Sequence, residues 1–156
     1  MNEINIPGYK TLQIRHLVLD YNGTLACDGQ ILPGVKECLT SLAEIMQIHI
    51  LTADTFGQAA AQVEGIPVTL TVLPPEDQHV EKANYVKRLG CEHTASIGNG
   101  RNDRLMLKVS VLGIAVILKE GLAAEALLAA DMVFGDIVSA LEIFQHPLRM
   151  TATLRE

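Results

Sequence analysis

Six short apolar runs rich in β-branched residues, at 17–20, 48–51, 68–73, 95–97, 113–118 and 131–134, recur along the chain with amphipathic patterns between them. That alternation limits the fold more than any other feature. Parallel strands cannot be joined by tight turns, so each connection must carry the chain back across the sheet, most compactly as a helix. The intervening patterns have the matching period. Val35, Leu39, Leu42, Ala43 and Met46 fall on one face of a helix introduced by Pro33. Helices are expected near 56–64, stopped by Gly65, and near 77–89, stopped by Gly90. Helical runs near 102–109, 122–129 and 137–144 complete the series. The expected architecture is α/β, a doubly wound, Rossmann-like parallel sheet with helices on both faces. Composition agrees: 49% of the residues are apolar but only 4% aromatic, leaving Val, Ile, Leu and Ala to build a sheet buried on both sides.

The 156 residues fit one domain, 1–156, with its core at about 15–145 and a weakly periodic arm or partner-contact segment at about 146–156. A net charge of -6, with the basic residues scattered, argues against nucleic acid as a partner. No apolar run approaches the ~18 residues of a membrane span, and "MNEINIPGYK" lacks the layout of a signal peptide. A soluble, cytoplasmic protein without membrane partners is expected. The three cysteines, Cys27, Cys38 and Cys91, form no C-x-x-C pair and are expected as reduced thiols. The five histidines are dispersed and take no ligand role.

In doubly wound sheets ligands bind beyond the carboxyl ends of the strands. The polar residues there are Asp20 and Asn22, Thr52 and Asp54, and Asn99 with Asp103. Phosphoryl transfer through a carboxylate needs an in-line nucleophilic oxygen, a bridging divalent metal, and cationic and N–H donors on the equatorial oxygens. Asp20 ends the first strand and Gly23 permits close backbone approach, while Thr52 ends the second strand with a hydroxyl and an N–H. Lys82 lies in the helix before the fourth strand, and Asp103 follows that strand as a hard oxygen donor suited to Mg²⁺.

"DYNGT" (20–24), "LTAD" (51–54), "PPEDQHVEKANYVKRLG" (74–90) and "IGNGRNDRLML" (97–107) together resemble the four motifs of the haloacid dehalogenase superfamily. Within it they are most similar to the phosphorylation domain of P-type ATPases, and to the small soluble P-type ATPase-like proteins. The resemblance spans about residues 15–145. It implies that Asp20 is the nucleophile and a metal ligand, with the Asn22 carbonyl a second ligand. Thr52, with Ala53 and Gly23 beside it, would bind the transferring phosphoryl group. Lys82, preferred to Lys87 for its spacing from Val86, would bridge Asp20 and phosphate. Asp103 would hold Mg²⁺ directly or through water, with Asn99 beside the metal. Thr24, Asp54 and Asn102 would take secondary roles.

Two positions depart from the phosphatase pattern. Asn22 stands where a second Asp serves as general acid/base, and Asn99 where an Asp lies near the metal. An amide cannot deliver a proton to a departing alkoxide, so monoester hydrolysis should be slowed about 10²- to 10⁴-fold. Nucleotides and acyl phosphates, with better leaving groups, should suffer less. Asn99 removes a negative charge, so weaker Mg²⁺ binding is expected. Only 31 residues separate Asp20 from Thr52 and 29 separate Thr52 from Lys82, too few for a cap domain. The open site suits a macromolecular substrate or a homo-oligomer in which a neighbour closes the entrance. The leading expectation is a Mg²⁺-dependent phosphohydrolase or phosphotransferase. The alternative is a binding or regulatory module that keeps the Mg²⁺/phosphate pocket but turns over negligibly. A receiver domain fits less well, because it would need an acidic pair after its first strand and an acceptor Asp after its third.

Overall fold

In the computed structural model, residues 3–54 and 57–156 are described. The chain opens with an antiparallel pair, β1 (Ile4–Asn5) and β2 (Thr11–Leu12), then enters β3 (His16–Asp20). A small hairpin, β4 (Ala26–Cys27) and β5 (Gln30–Ile31), precedes α1 (Val35–Leu42) and β6 (Gln47–Thr52). Next come α2 (Gln58–Gln62), β7 (Thr69–Val72), α3 (Gln78–Leu89) and β8 (Thr94–Gly98). The chain continues through α4 (Arg104–Val109), β9 (Leu112–Val116), α5 (Ala124–Ala129), β10 (Met132–Phe134), α6 (Ile137–Glu142) and α7 (Pro147–Leu154).

The six long-range strands form one parallel sheet in the order β10-β9-β8-β3-β6-β7. The chain winds outward from β3 to β7, then crosses to the other side of β3 to lay down β8. Strand alternation sorts the side chains between two faces. Leu17, Leu19, Ile48, Ile50, Ala95, Ile97, Leu112 and Ile114 join the larger core with residues of α1 and α6. Val18 and Leu51 point the other way, against Val86 of α3 and Met106 of α4. The sheet is thus covered on both faces, as the strand and helix periods required.

The periodic elements match the sequence expectations to within a few residues. The expected start of the second helix, Phe56, lies outside the described residues. Residues 146–156 require correction. They form a docked helix, α7, with Pro147 at its first turn and Met150 fully buried in the main core, instead of an arm. Its stripe is narrow, Met150 with Thr151 and Leu154, while Leu148 is exposed, so the period was faint. Ile4 and Ile6 join the same core, which therefore extends beyond 15–145. The hairpins escaped notice because two-residue strands have no period to read, although Asp28 and Gly29, at φ 51° and 79°, are the turn pair such hairpins favour.

His49 alternates with Ile48 and Ile50 and faces α3, where Nε2 lies 3.2 Å from His16 Nδ1 and Nδ1 lies 2.9 Å from the Tyr85 hydroxyl. Burial, then the neighbouring His16, holds His49 below its ordinary value of 6.5. Burial, then His93 and Arg15, does the same to His16. Both rings are therefore held neutral by the fold. Below about pH 6.5 the unfolded chain binds protons that the folded chain refuses, so this contribution is full above that pH and is lost on acidification. The melting temperature of the wild type is expected to fall more steeply than that of His49→Gln as buffers are taken from neutral to mildly acidic. Parallel slopes would remove the histidine pair as the cause.

Candidate active site

Asp20 is the last residue of β3, the strand where the winding direction changes, so its side chain emerges at the carboxyl edge of the sheet between β6 and β8. It is only 8% exposed. Lys82, on the inward face of α3 and 1% exposed, donates from Nζ to Asp20 Oδ1 and to Asp103 Oδ1, both at 2.8 Å. The Thr24 hydroxyl donates to Asp20 Oδ2 at 3.0 Å and lies 3.3 Å from Asn99 Oδ1. Both oxygens of Asp20 are thus oriented by neighbours.

Asp103 is fully buried. Its Oδ1 takes Lys82, and its Oδ2 accepts the backbone N–H groups of Asn99 (3.0 Å) and Gly100 (2.9 Å). A Cβ on Gly98 would lie 2.5 Å from Asp103 Cγ, so the bare glycine at the end of β8 lets this carboxylate fold back under the loop. Both of its oxygens are engaged, and it stands behind Lys82, away from the cavity wall. Asn99 takes the forward position: Nδ2 donates to the Gly121 carbonyl at 3.1 Å, which leaves Oδ1 facing Thr24.

A cavity of about 240 Å³ opens above these groups, lined by Asp20, Asn22, Thr52, Ala53, Gln78, Asn99, Gly100, Asn102 and Glu120. Thr52 is buried at the end of β6, and its Oγ1 accepts the Asp54 N–H at 3.1 Å. The Asp54 carboxylate is turned away, accepting the Ala59 N–H at the start of α2. Asn102 donates to Gln78 Oε1 at 3.1 Å on the opposite rim. Asn22 is exposed at the mouth. Gly23 adopts a φ of 80°, where a side chain is strained. A Cβ there would sit 2.5 Å from Glu120 Oε2 and 2.6 Å from Asn99 Nδ2.

The sequence reading therefore named most of this wall. It missed Gln78, Gly100 and Glu120. Glu120 follows the carboxyl end of β9, and the rule that located Asp20, Thr52 and Asn99 reaches it when applied to that strand as well.

The electrostatics follow from burial. Burial, together with the charge of Asp103, pushes the Asp20 carboxyl up to about 6, against the pull of Lys82 and Thr24. Burial alone would lower Lys82, but Asp20 and Asp103 outweigh it and hold the ammonium charged. Lys82→Met would leave two buried carboxylates facing one another, at an expected cost of about 3 to 5 kcal/mol. Urea titration at neutral pH should show a lowered midpoint, and the deficit should shrink in acid as the carboxyls protonate.

The cavity wall carries two carboxylates, Asp20 and Glu120, and no Lys or Arg side chain among the described residues. A phosphate dianion entering such a wall needs a cation. The available donors are all oxygen: carboxylate, the Asn99 amide and backbone carbonyl. Among the described residues no three His, Cys, Asp or Glu side chains converge as a ready cage. A mixed set with one or two carboxylates, completed by water and substrate, is the kind Mg²⁺ uses. The residues present fit that ion.

No protein-family model matches the chain. The uncharacterized protein MJ0073 of Methanocaldococcus jannaschii is 44% identical over 79 residues, covering 51% of this chain and 80% of that protein. A hydrolase of the haloacid dehalogenase-like family from Streptococcus pneumoniae shares the architecture with a TM-score of 0.63 at 14% identity, over 85% of this chain and 99% of that one. The chain has the haloacid dehalogenase (HAD) fold and belongs to one family with MJ0073. The same HAD architecture is shared with 3-deoxy-D-manno-octulosonate 8-phosphate phosphatase from Moraxella catarrhalis, solved with magnesium, phosphate and KDO, at a TM-score of 0.69 and 18% identity over 91% and 94% of the two chains. It is shared also with a zinc-transporting PIB-type ATPase, at a TM-score of 0.59 and 23% identity, over 78% of this chain and 20% of that one. In this HAD fold the segments between β3 and β6 and between β6 and α3 hold only a hairpin, short helices and a strand, with no separate cap among the described residues. Among the described residues no helix is long and apolar enough to cross a membrane.

Proposed function

We propose that this protein is a Mg²⁺-dependent phosphohydrolase or phosphotransferase that works through an aspartyl phosphate on Asp20. The observation that carries the reading is the buried Lys82 ammonium, which donates at 2.8 Å both to Asp20, on the cavity wall, and to Asp103 behind it. Mg²⁺ would be held by Asp20, the Asn22 carbonyl and Asn99, with Asp103 fixing Lys82 and the Asn99 loop from behind. When bound, the ion supplies the positive charge that draws phosphate oxygens into an acidic cavity and offsets charge developing on them.

Asp20, oriented by Lys82 and Thr24, attacks phosphorus with one carboxylate oxygen. The bond to the leaving-group oxygen breaks, and that oxygen departs with the bonding electron pair. The Thr52 hydroxyl and the backbone N–H groups at residues 52 and 53 would receive equatorial oxygens. Water then attacks phosphorus, releasing phosphate and restoring the carboxylate. Asn22, at the mouth, has no proton to give in the first step or base to offer in the second. Leaving groups that depart as stable anions, as in nucleoside triphosphates and acyl phosphates, suit such a site. A long-lived aspartyl phosphate of the P-type kind is the natural outcome.

The same amide favours a second reading, a regulatory module that binds Mg²⁺ and phosphoryl groups but turns over negligibly. Incubation with Mg²⁺ and acetyl phosphate, followed by intact-mass measurement and a count of phosphate released per protein, separates the two. The enzyme gains one phosphoryl mass on Asp20 and releases phosphate repeatedly. A protein that neither gains the mass nor releases phosphate would sink the proposed activity.

A further inference from the structure

Glu120 lies in the turn between β9 and α5, and the sequence motifs assign it nothing. The turn is tight, with the Gly121 N–H donating to the Leu118 carbonyl at 3.0 Å. It is also stitched to the site. Asn99 Nδ2 donates to the Gly121 carbonyl at 3.1 Å, and the Ala123 N–H donates to the Asn99 carbonyl at 2.9 Å. These bonds hold Glu120 above Gly23, where its Oε2 and the Asn99 amide crowd the space a single Cβ would occupy. Among the described residues its carboxylate has no hydrogen bond or ion pair. Exposed and without a partner among the described residues, this acid lines a cavity whose other carboxylate is Asp20, and it is placed to meet a cation.

We propose that Glu120 is a metal-binding residue of this site, supplying from the β9–α5 turn the negative charge that Asn99 does not carry. The proposal rests on the Mg²⁺ reading above. Asp20 as the sole carboxylate would share its charge with Lys82, leaving little attraction for a divalent ion. Adding Glu120 brings the carboxylates to two, within the one or two by which Mg²⁺ is usually bound. The hydrogen bonds between Asn99 and the turn then have a purpose: they bring the β9–α5 turn, and Glu120 with it, beside Asn99.

The test is direct metal binding to the full chain, with Mg²⁺ by calorimetry and Mn²⁺ by electron paramagnetic resonance, at one fixed neutral pH and without substrate. Glu120→Gln is expected to weaken binding about tenfold or more, while circular dichroism and the metal-free melting temperature stay as in the wild type. Glu37→Gln, on the exposed face of α1, controls for bulk charge and should leave affinity unchanged. Asn99→Asp combined with Glu120→Gln should recover affinity to about the wild-type value, because the acid returns to the same ion from the other side. If Glu120→Gln binds like the wild type while Asp20→Asn loses the ion, the role of Glu120 is overturned and the metal site stands. If the wild type binds neither ion, the metal reading falls and takes the Glu120 proposal with it.

Discussion

Asp20→Asn is expected to lower phosphate release by at least about 10⁴-fold and to abolish the phosphoryl adduct, since the nucleophile of a covalent mechanism has no substitute in the site. The loss should not come from unfolding. Burial and the neighbouring Asp103 already disfavour the charged form of Asp20, and its removal leaves Lys82 and Asp103 as a balanced pair. The variant should therefore melt no lower than the wild type. Residual turnover near the wild-type rate, with the fold intact, would show that phosphate is released by another route.

Asn22→Asp is expected to work in the opposite direction. A carboxyl at the cavity mouth can protonate the leaving oxygen and then take a proton from the attacking water. General acid/base assistance of this kind is typically worth about 10²- to 10⁴-fold. The gain should be large for an alkyl phosphate monoester and small for acetyl phosphate, whose leaving group needs no proton. The phosphoryl adduct should become shorter-lived. Initial rates on both substrate classes, with the decay of the adduct followed in Mg²⁺ after acetyl phosphate is removed by rapid desalting, check the prediction. Equal rates for wild type and variant on alkyl esters would mean that the identity of residue 22 does not limit turnover.

What could be read without coordinates, and what could not, divides along physical lines. The sheet was legible because strands buried on both faces must be apolar and their crossovers must be amphipathic. Asp20, Thr52, Asn99 and Lys82 were legible because each stands at a strand end or at fixed spacing in a motif. The depth of each residue was not legible. Asp103 looks like Asp20 in a string of letters, yet its two oxygens are taken by Lys82 and two backbone N–H groups. Glu120 stands past the end of β9, where position alone says nothing of whether the side chain reaches the cavity. A Lys-Glu pair before a glycine reads as solvated turn charge, and only the hydrogen bonds of the turn to Asn99 bring it over the cavity. Helix α7 was obscured by its narrow stripe, and the β4–β5 hairpin by strands too short to alternate.

The arrangement of β3 between β6 and β8 also bears on how the protein is made. Asp20 leaves the ribosome early, while Lys82 of α3, Asn99 after β8 and Glu120 after β9 all follow it in the chain. A nascent chain that has formed only β3, β6 and β7 holds the proposed nucleophile without the ammonium that orients it. The proposed site is therefore complete only once the chain through the β9–α5 turn has joined the sheet.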